Sequence, residues 1–424
     1  MGQDVPANFR TGLGMVSMRR TLVAVVAVAV IAPFGPAACS GKKSVASPPA
    51  TENAGATATP TPTTPATPVS LSITPTTGKK GVPVSAEIGL KLAGDGKVSS
   101  VTLKDAAGQA VAGTLRDDAS SWVPSKPLKA SERYAATVVA TGSAGDSKTV
   151  TTSFTTMGAP AHKTGTGLYL FDDHTYGVAM PVVVEFSPGI KKADRAAVQK
   201  RLFVTTEPAQ PGVWSWTSTG TQAFYRAPKY WQPGTKLTVR AALGGLPTGS
   251  GRYGDRDRSA TAKIGRDFEI KVDNASKKMT VVQNGKVVRT VPVSLGKAST
   301  PSSSGTMVVM DKLASTVFDT TDTDGAAGYR DTIEFAQRLT WSGQYIHSAP
   351  WSTGAQGHRN VSHGCVNVSP SNARWLFAKT LIGDPVTVKG TGDKLDYGNG
   401  WTAWNVSWAD FVKGSALPVP SGLA

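Results

Sequence analysis

Ile346-His347-Ser348-Ala349-Pro350-Trp351, followed at a short distance by Asn360-Val361-Ser362-His363-Gly364-Cys365-Val366-Asn367-Val368, decides how this chain is read. Residues 346–368 hold three of the five histidines and one of the two cysteines. A thiol reacts as thiolate near neutral pH only with a base or a cation beside it, and histidine is the usual supplier. His347 precedes Cys365 by a loop long enough to fold back, so the two side chains can meet in space. Gly364 leaves the backbone before the cysteine unobstructed, which suits an oxyanion hole made of main-chain N–H groups. Val366 and Val368 alternate with polar neighbours and place Cys365 at the start of a strand. Two other readings fit the same residues. A lone cysteine is often a small buried hydrophobe, and His347, His358, His363 and Cys365 also match a zinc ligand set.

The pattern as a whole is more specific than its spacing. His347-Ser348-Ala349-Pro350-Trp351 together with Ser362-His363-Gly364-Cys365-Val366-Asn367-Val368-Ser369 resembles the signature of the L,D-transpeptidases, peptidoglycan cross-linking enzymes with a YkuD-type catalytic domain. It looks most like their actinobacterial lipoprotein form, and the resemblance spans residues 160–411. Papain-like enzymes place the cysteine before the histidine, and the Thr-Cys motif of sortases is missing here.

The resemblance implies a mechanism. Cys365 attacks the carbonyl at the L-centre of the diamino acid in stem position three and expels the terminal D-Ala. His347 takes and returns the proton, its ring oriented by the backbone carbonyl of Ser348. The N–H groups of Cys365 and Gly364 hold the oxyanion. His363 orients the site, Asn367 supports the nucleophile turn, and His358 is a loop residue. Ser362 and Tyr329 touch substrate, Tyr329 through its match to the Gly328-Tyr329-Arg330 end of the family's flap. Neither cofactor nor metal is implied. The partners implied are tetrapeptide stems, as donor and acceptor, and carbapenem β-lactams as covalent inhibitors. Attack by a diaminopimelate amine gives a 3→3 cross-link, and attack by water makes the enzyme an L,D-carboxypeptidase. A non-catalytic wall-binding lipoprotein is the remaining reading.

Composition sets the surroundings. A chain of 424 residues suggests roughly three domains. The net charge is +16, yet Lys and Arg are scattered without the blocks expected of a nucleic-acid groove, so nucleic acid is not an expected partner. A basic surface suits a polyanionic envelope. With Cys365 catalytic and Cys39 lipidated, no disulfide can form.

In chain order, residues 1–39 read as an export signal. Met18-Arg19-Arg20 is followed by an apolar run from Leu22 to Ala32, too short for a comfortable membrane span. Ala37-Ala38-Cys39 resembles a lipobox, with Pro36 as a departure, so Cys39 is the expected lipid anchor on the outer face of the cytoplasmic membrane. Residues 40–68, rich in Pro, Thr and Ala, read as a tether into the wall.

The fold class is mostly β. Short alternating runs over 69–158 predict an immunoglobulin-like sandwich, and 159–263 a second. Trp122, Pro127 and Tyr134 in the first have loose counterparts in Phe224, Pro228 and Lys236 of the second. A helical insertion is expected at 194–202. The β-rich catalytic domain runs over 264–390, with an Asn284-Gly285 hairpin and a helix at 370–381 capped by Ser369 or Ser371. Residues 311–329, polar and rich in Thr and Asp, read as a loop or lid. The Trp-rich segment 391–424 is expected to pack back on the catalytic domain.

Overall fold

The computed structural model describes residues 67–319 and 330–424. The export signal, Cys39, nearly all of the tether, and Tyr329 lie outside the described residues.

The first sandwich packs two four-stranded sheets face to face. One runs Ser70–Thr74, Ile88–Ala93, Ser121–Pro124, Gly113–Leu115; the other runs Lys79–Val82, Ser147–Thr156, Arg133–Gly142, Gly96–Lys104. Period-two alternation makes the core: Tyr134, Ala136, Val138 and Ala140 point inward from one strand and are buried. Tyr134 stacks on Phe154 at 5.8 Å, while its hydroxyl accepts the Lys129 N–H at 2.9 Å. The sandwich therefore holds without a cysteine pair.

The second sandwich has a four-stranded and a six-stranded sheet. The aromatic, proline and strand repeat falls at matching places. Trp122 and Phe224 lie in strands Ser121–Pro124 and Gln222–Arg226, and each chain then crosses to the opposite sheet at Arg133–Gly142 and Lys236–Ala241. The helical insertion is a 3-10 turn, Lys192–Asp194, running into a short helix, Arg195–Gln199. Leu202, expected at the helix end, instead opens a strand. The two sandwiches are joined through Glu87. Arg116 Nη2 of its own domain approaches its Oε1 at 2.6 Å and Arg201 Nη1 of the second sandwich at 2.5 Å.

Val182, Val183 and Val184 are consecutive and all buried. An unbroken apolar run demands cover on both faces, and the C-terminal segment supplies part of it. Trp401, Ala403 and Phe411 belong to the same core as these valines. The segment 391–424 thus packs on the second sandwich as well as on the catalytic domain, where Asn405 Oδ1 accepts Thr306 N–H and Asn399 Oδ1 accepts Ser342 N–H. The segment starts on the catalytic sheet, where Leu395 N–H donates to Ser304 O at 2.9 Å. It ends against the second sandwich, where Trp216 N–H donates to Gly414 O at 2.9 Å and Trp404 Nε1 donates to Ala179 O at 2.7 Å. Arg226 is the anchor: buried, it donates to Ala403 O and Val406 O. Its guanidinium lies over Phe411 at 4.3 Å and Trp404 at 4.4 Å.

The catalytic domain sets a six-stranded sheet against a four-stranded one. Asn284 and Gly285 both have positive φ, 51° and 74°, as a tight two-residue hairpin turn requires. Pro292 ends the edge strand Lys286–Pro292, where its missing N–H is tolerated. Helix Pro370–Lys379 starts at Ser369, whose hydroxyl accepts the Asn372 N–H, so Ser369 rather than Ser371 is the cap.

The polar stretch 311–329 differs from expectation in its first half. Asp311–Asp319 is a nine-residue strand paired antiparallel with Arg330–Arg338. Its Thr and Val are strand formers, and half-exposed strands on a rim take polar residues readily.

Candidate active site

Two strands place the chemistry. Tyr345–Ser348 and Val366–Val368 run parallel, with Ile346 opposite Val366, His347 opposite Asn367 and Ser348 opposite Val368. Because side chains alternate, Ile346, Val366 and Val368 enter the core while His347, Asn367 and Cys365 share the other face. His347 and Cys365 are thus diagonal neighbours across one strand gap. Both line a cavity of about 690 Å³, with Phe318, Asp331, Ile333, Trp351, Arg359, Ser362, His363 and Asn367 among its walls.

His347 Nδ1 donates to the backbone carbonyl of Ser348 at 2.8 Å. A carbonyl only accepts, so Nδ1 carries the proton and the neutral ring presents Nε2 as a base. The ring is buried and lies between Trp351 at 6.0 Å and Phe318 at 5.5 Å. Burial holds its pKa below the ordinary range, with the Ser348 bond partly opposing. Burial also pushes the Cys365 thiol up to about 12, partly offset by the Tyr345 N–H at the sulfur. Both shifts disfavour the charged forms, thiolate and imidazolium.

This constellation occurs in a chain with close relatives. It is 35% identical to L,D-transpeptidase 2 of Mycobacterium tuberculosis over 351 residues, covering 82% of this chain and 85% of that protein.

The chain belongs to the L,D-transpeptidase family.

A second relative, L,D-transpeptidase 5 of the same organism, is 36% identical over 348 residues, covering 80% of this chain and 74% of that protein. One bacterial Ig domain model matches residues 79–247, and the L,D-transpeptidase catalytic domain model matches 267–388. A solved L,D-transpeptidase in complex with imipenem aligns at 33% identity, TM-score 0.45, covering 54% of this chain and 100% of that one.

The remaining site residues divide. Gly364 has φ 124°, a backbone conformation that favours glycine, but its N–H donates to Ser362 Oγ at 3.2 Å. To serve an oxyanion it must first leave that bond. Ser362 is buried; its hydroxyl donates to Cys365 O at 2.6 Å, so it shapes the nucleophile loop as well as lining the cavity. Asn367 donates through Nδ2 to Ser352 Oγ at 3.1 Å, bracing the turn from the neighbouring segment. His363 is exposed, with Nε2 at 3.1 Å from Lys297 Nζ. His358 lies exposed on the loop and is absent from the cavity wall. Among the described residues no three His, Cys, Asp or Glu side chains gather as a metal site requires, so the zinc ligand set does not form there.

Sequence reasoning assigned no role to Phe318, Asp331, Trp351 or Arg359. Trp351 was visible inside the motif. Phe318 and Asp331 face each other across the rim hairpin, a pairing hidden while 311–329 reads as a loop.

Proposed function

We propose that this L,D-transpeptidase joins peptidoglycan stems by 3→3 cross-links through a thioester on Cys365. His347 Nε2 removes the thiol proton as sulfur attacks the L-centre carbonyl of the donor's diaminopimelate, and the same imidazolium protonates the departing D-Ala amine. The diaminopimelate amine of a second stem then attacks the thioester, its proton passing to His347, and the thiol is regenerated. Backbone N–H groups around Cys365 steady the oxyanion in both steps. Strained β-lactams, carbapenems among them, present a similar carbonyl and acylate the same sulfur.

The observation that carries this reading is the bond from His347 Nδ1 to Ser348 O. It fixes the tautomer that leaves Nε2 a base on the cysteine's face of the sheet. The Pro-rich tether and Cys39 complete the proposal: the chain is exported, lipid-anchored at Cys39, and works in the wall.

The test uses a purified disaccharide-tetrapeptide and mass spectrometry. A dimer lacking one alanine is the expected product. Tripeptide monomer alone would make the enzyme a carboxypeptidase. No turnover and no carbapenem adduct on Cys365 would leave a wall-binding protein.

A further inference from the structure

The strand that carries His347 is short and lightly held. Tyr345–Ser348 meets Arg330–Arg338 through two ladder pairs, Gln337 opposite Ile346 and Arg338 opposite Tyr345, and meets Val366–Val368 through three. On its core side, where Ile346 points, lies a second connection. Helix Pro370–Lys379 follows the Cys365 strand after Ser369 and ends at buried Thr380. The Thr380 hydroxyl donates to Gln337 Oε1 at 2.5 Å, and its carbonyl accepts Lys312 Nζ at 2.6 Å. Gln337 and Lys312 are opposite each other in the rim hairpin, so two cross-strand neighbours hold Thr380 at hydroxyl and carbonyl. Gln337 is fully buried, and its Nε2 has no hydrogen-bond partner among the described residues. A buried amide with one group unpaired costs more than an apolar side chain of that size, so stability alone does not account for it.

We propose that Thr380 and Gln337 are positioning residues for acylation of Cys365. Their hydrogen bond closes a loop beneath the sheet: the nucleophile strand runs into the helix, the helix ends at Thr380, and Thr380 is tied to the strand on the other side of His347. The His347 strand is thereby clamped between its two neighbours, which fixes the imidazole relative to the sulfur. The inference rests on the transpeptidase reading. Neither Thr380 nor Gln337 is part of the cavity wall, so the bond acts on attack and proton transfer and leaves donor binding alone.

The experiment follows thioester formation on Cys365 by intact mass over the first turnover, with the full-length chain and a tetrapeptide donor in varied excess. Thr380→Val keeps the shape and loses the hydroxyl, while Thr380→Ser keeps the hydroxyl. Each variant is assayed well below its thermal transition, and its active sites are counted by the end-point of carbapenem labelling. Thr380→Val is expected to lower the acylation rate constant per active site about tenfold, with the donor concentration at half-maximal rate unchanged. Thr380→Ser should restore most of that rate, and Gln337→Met, which removes the acceptor and keeps the length, should match Thr380→Val. A merely structural role would reduce the count of active sites or the thermal transition and leave the rate constant per site intact. That result, or a loss confined to donor affinity, would overturn the positioning role while leaving Cys365 chemistry standing. Absence of any adduct on Cys365 in the unaltered chain would overturn the transpeptidase reading and this inference with it.

Discussion

Arg226 and His347 are buried, and Cys365 beside His347 is partly exposed; none has a counter-ion among the described residues, yet burial acts on them with opposite outcomes. Burial lowers Arg226 to about 10, with Tyr397 and Tyr230 partly opposing. It raises Cys365 from 9.0 to about 12 and lowers His347 from 6.5. Desolvation acts against charge in every case. The guanidinium begins so far from neutrality that it stays charged, and carbonyls and aromatic faces then hold it. Thiol and imidazole begin close to neutrality, so the same penalty empties both of charge. One region thus uses burial to fix a cation as a structural anchor, and the other to keep a nucleophile protonated until its base and substrate are in place.

The largest effect expected from breaking this contrast is at the sulfur. Cys365→Ala should lower D-Ala release by at least about 10⁴-fold with the thermal transition unchanged, read by turnover and calorimetry on the same sample. His347→Gln removes the base but keeps a polar ring-sized group; turnover should fall by about 10²–10⁴-fold while a β-lactam adduct still forms slowly on Cys365. On the structural side, Arg226→Met keeps the aliphatic stem and removes the cation and its donors. A loss of about 3 kcal/mol is expected, seen as a lower denaturant midpoint and more solvent-exposed tryptophan fluorescence from Trp404 and Trp408.

Glu87 sharpens the contrast, because here partners overcome burial. Desolvation raises it, but Arg116, Ser121 and Arg201 outweigh that and hold it near about 2, against 4.5 unfolded. A depressed carboxylate stabilises the fold above its unfolded pKa and loses that contribution as pH falls toward the folded value. Between pH 4.5 and 2 the junction of the two sandwiches should therefore lose about 2 kcal/mol, and Glu87→Gln should flatten that dependence in acid titrations of stability.

Much of this was legible in the sequence, for local reasons. Asn284-Gly285 announces its turn, Ser369 its cap, and the alternation after Cys365 its strand, because each signal lies within a few residues of its consequence. The tautomer of His347 was accessible only through family resemblance. Long-range events left no such trace. Asp311–Asp319 hides its strand under rim polarity, Phe318 and Arg359 share only the cavity wall, and 391–424 reaches the second sandwich, whose three buried valines need cover. Arg226 looked like one basic residue among many until the aromatic cage around it was in view.

The sharpest single test follows formation of the donor thioester on Cys365 by intact mass as pH is varied. A neutral pair with His347 as base requires an adduct whose rate rises on the acid side and levels off below pH 6.5, the ordinary histidine value. A rate that keeps climbing into the alkaline range, as for an unassisted thiol, or an adduct carried by any residue other than Cys365, would refute the neutral dyad.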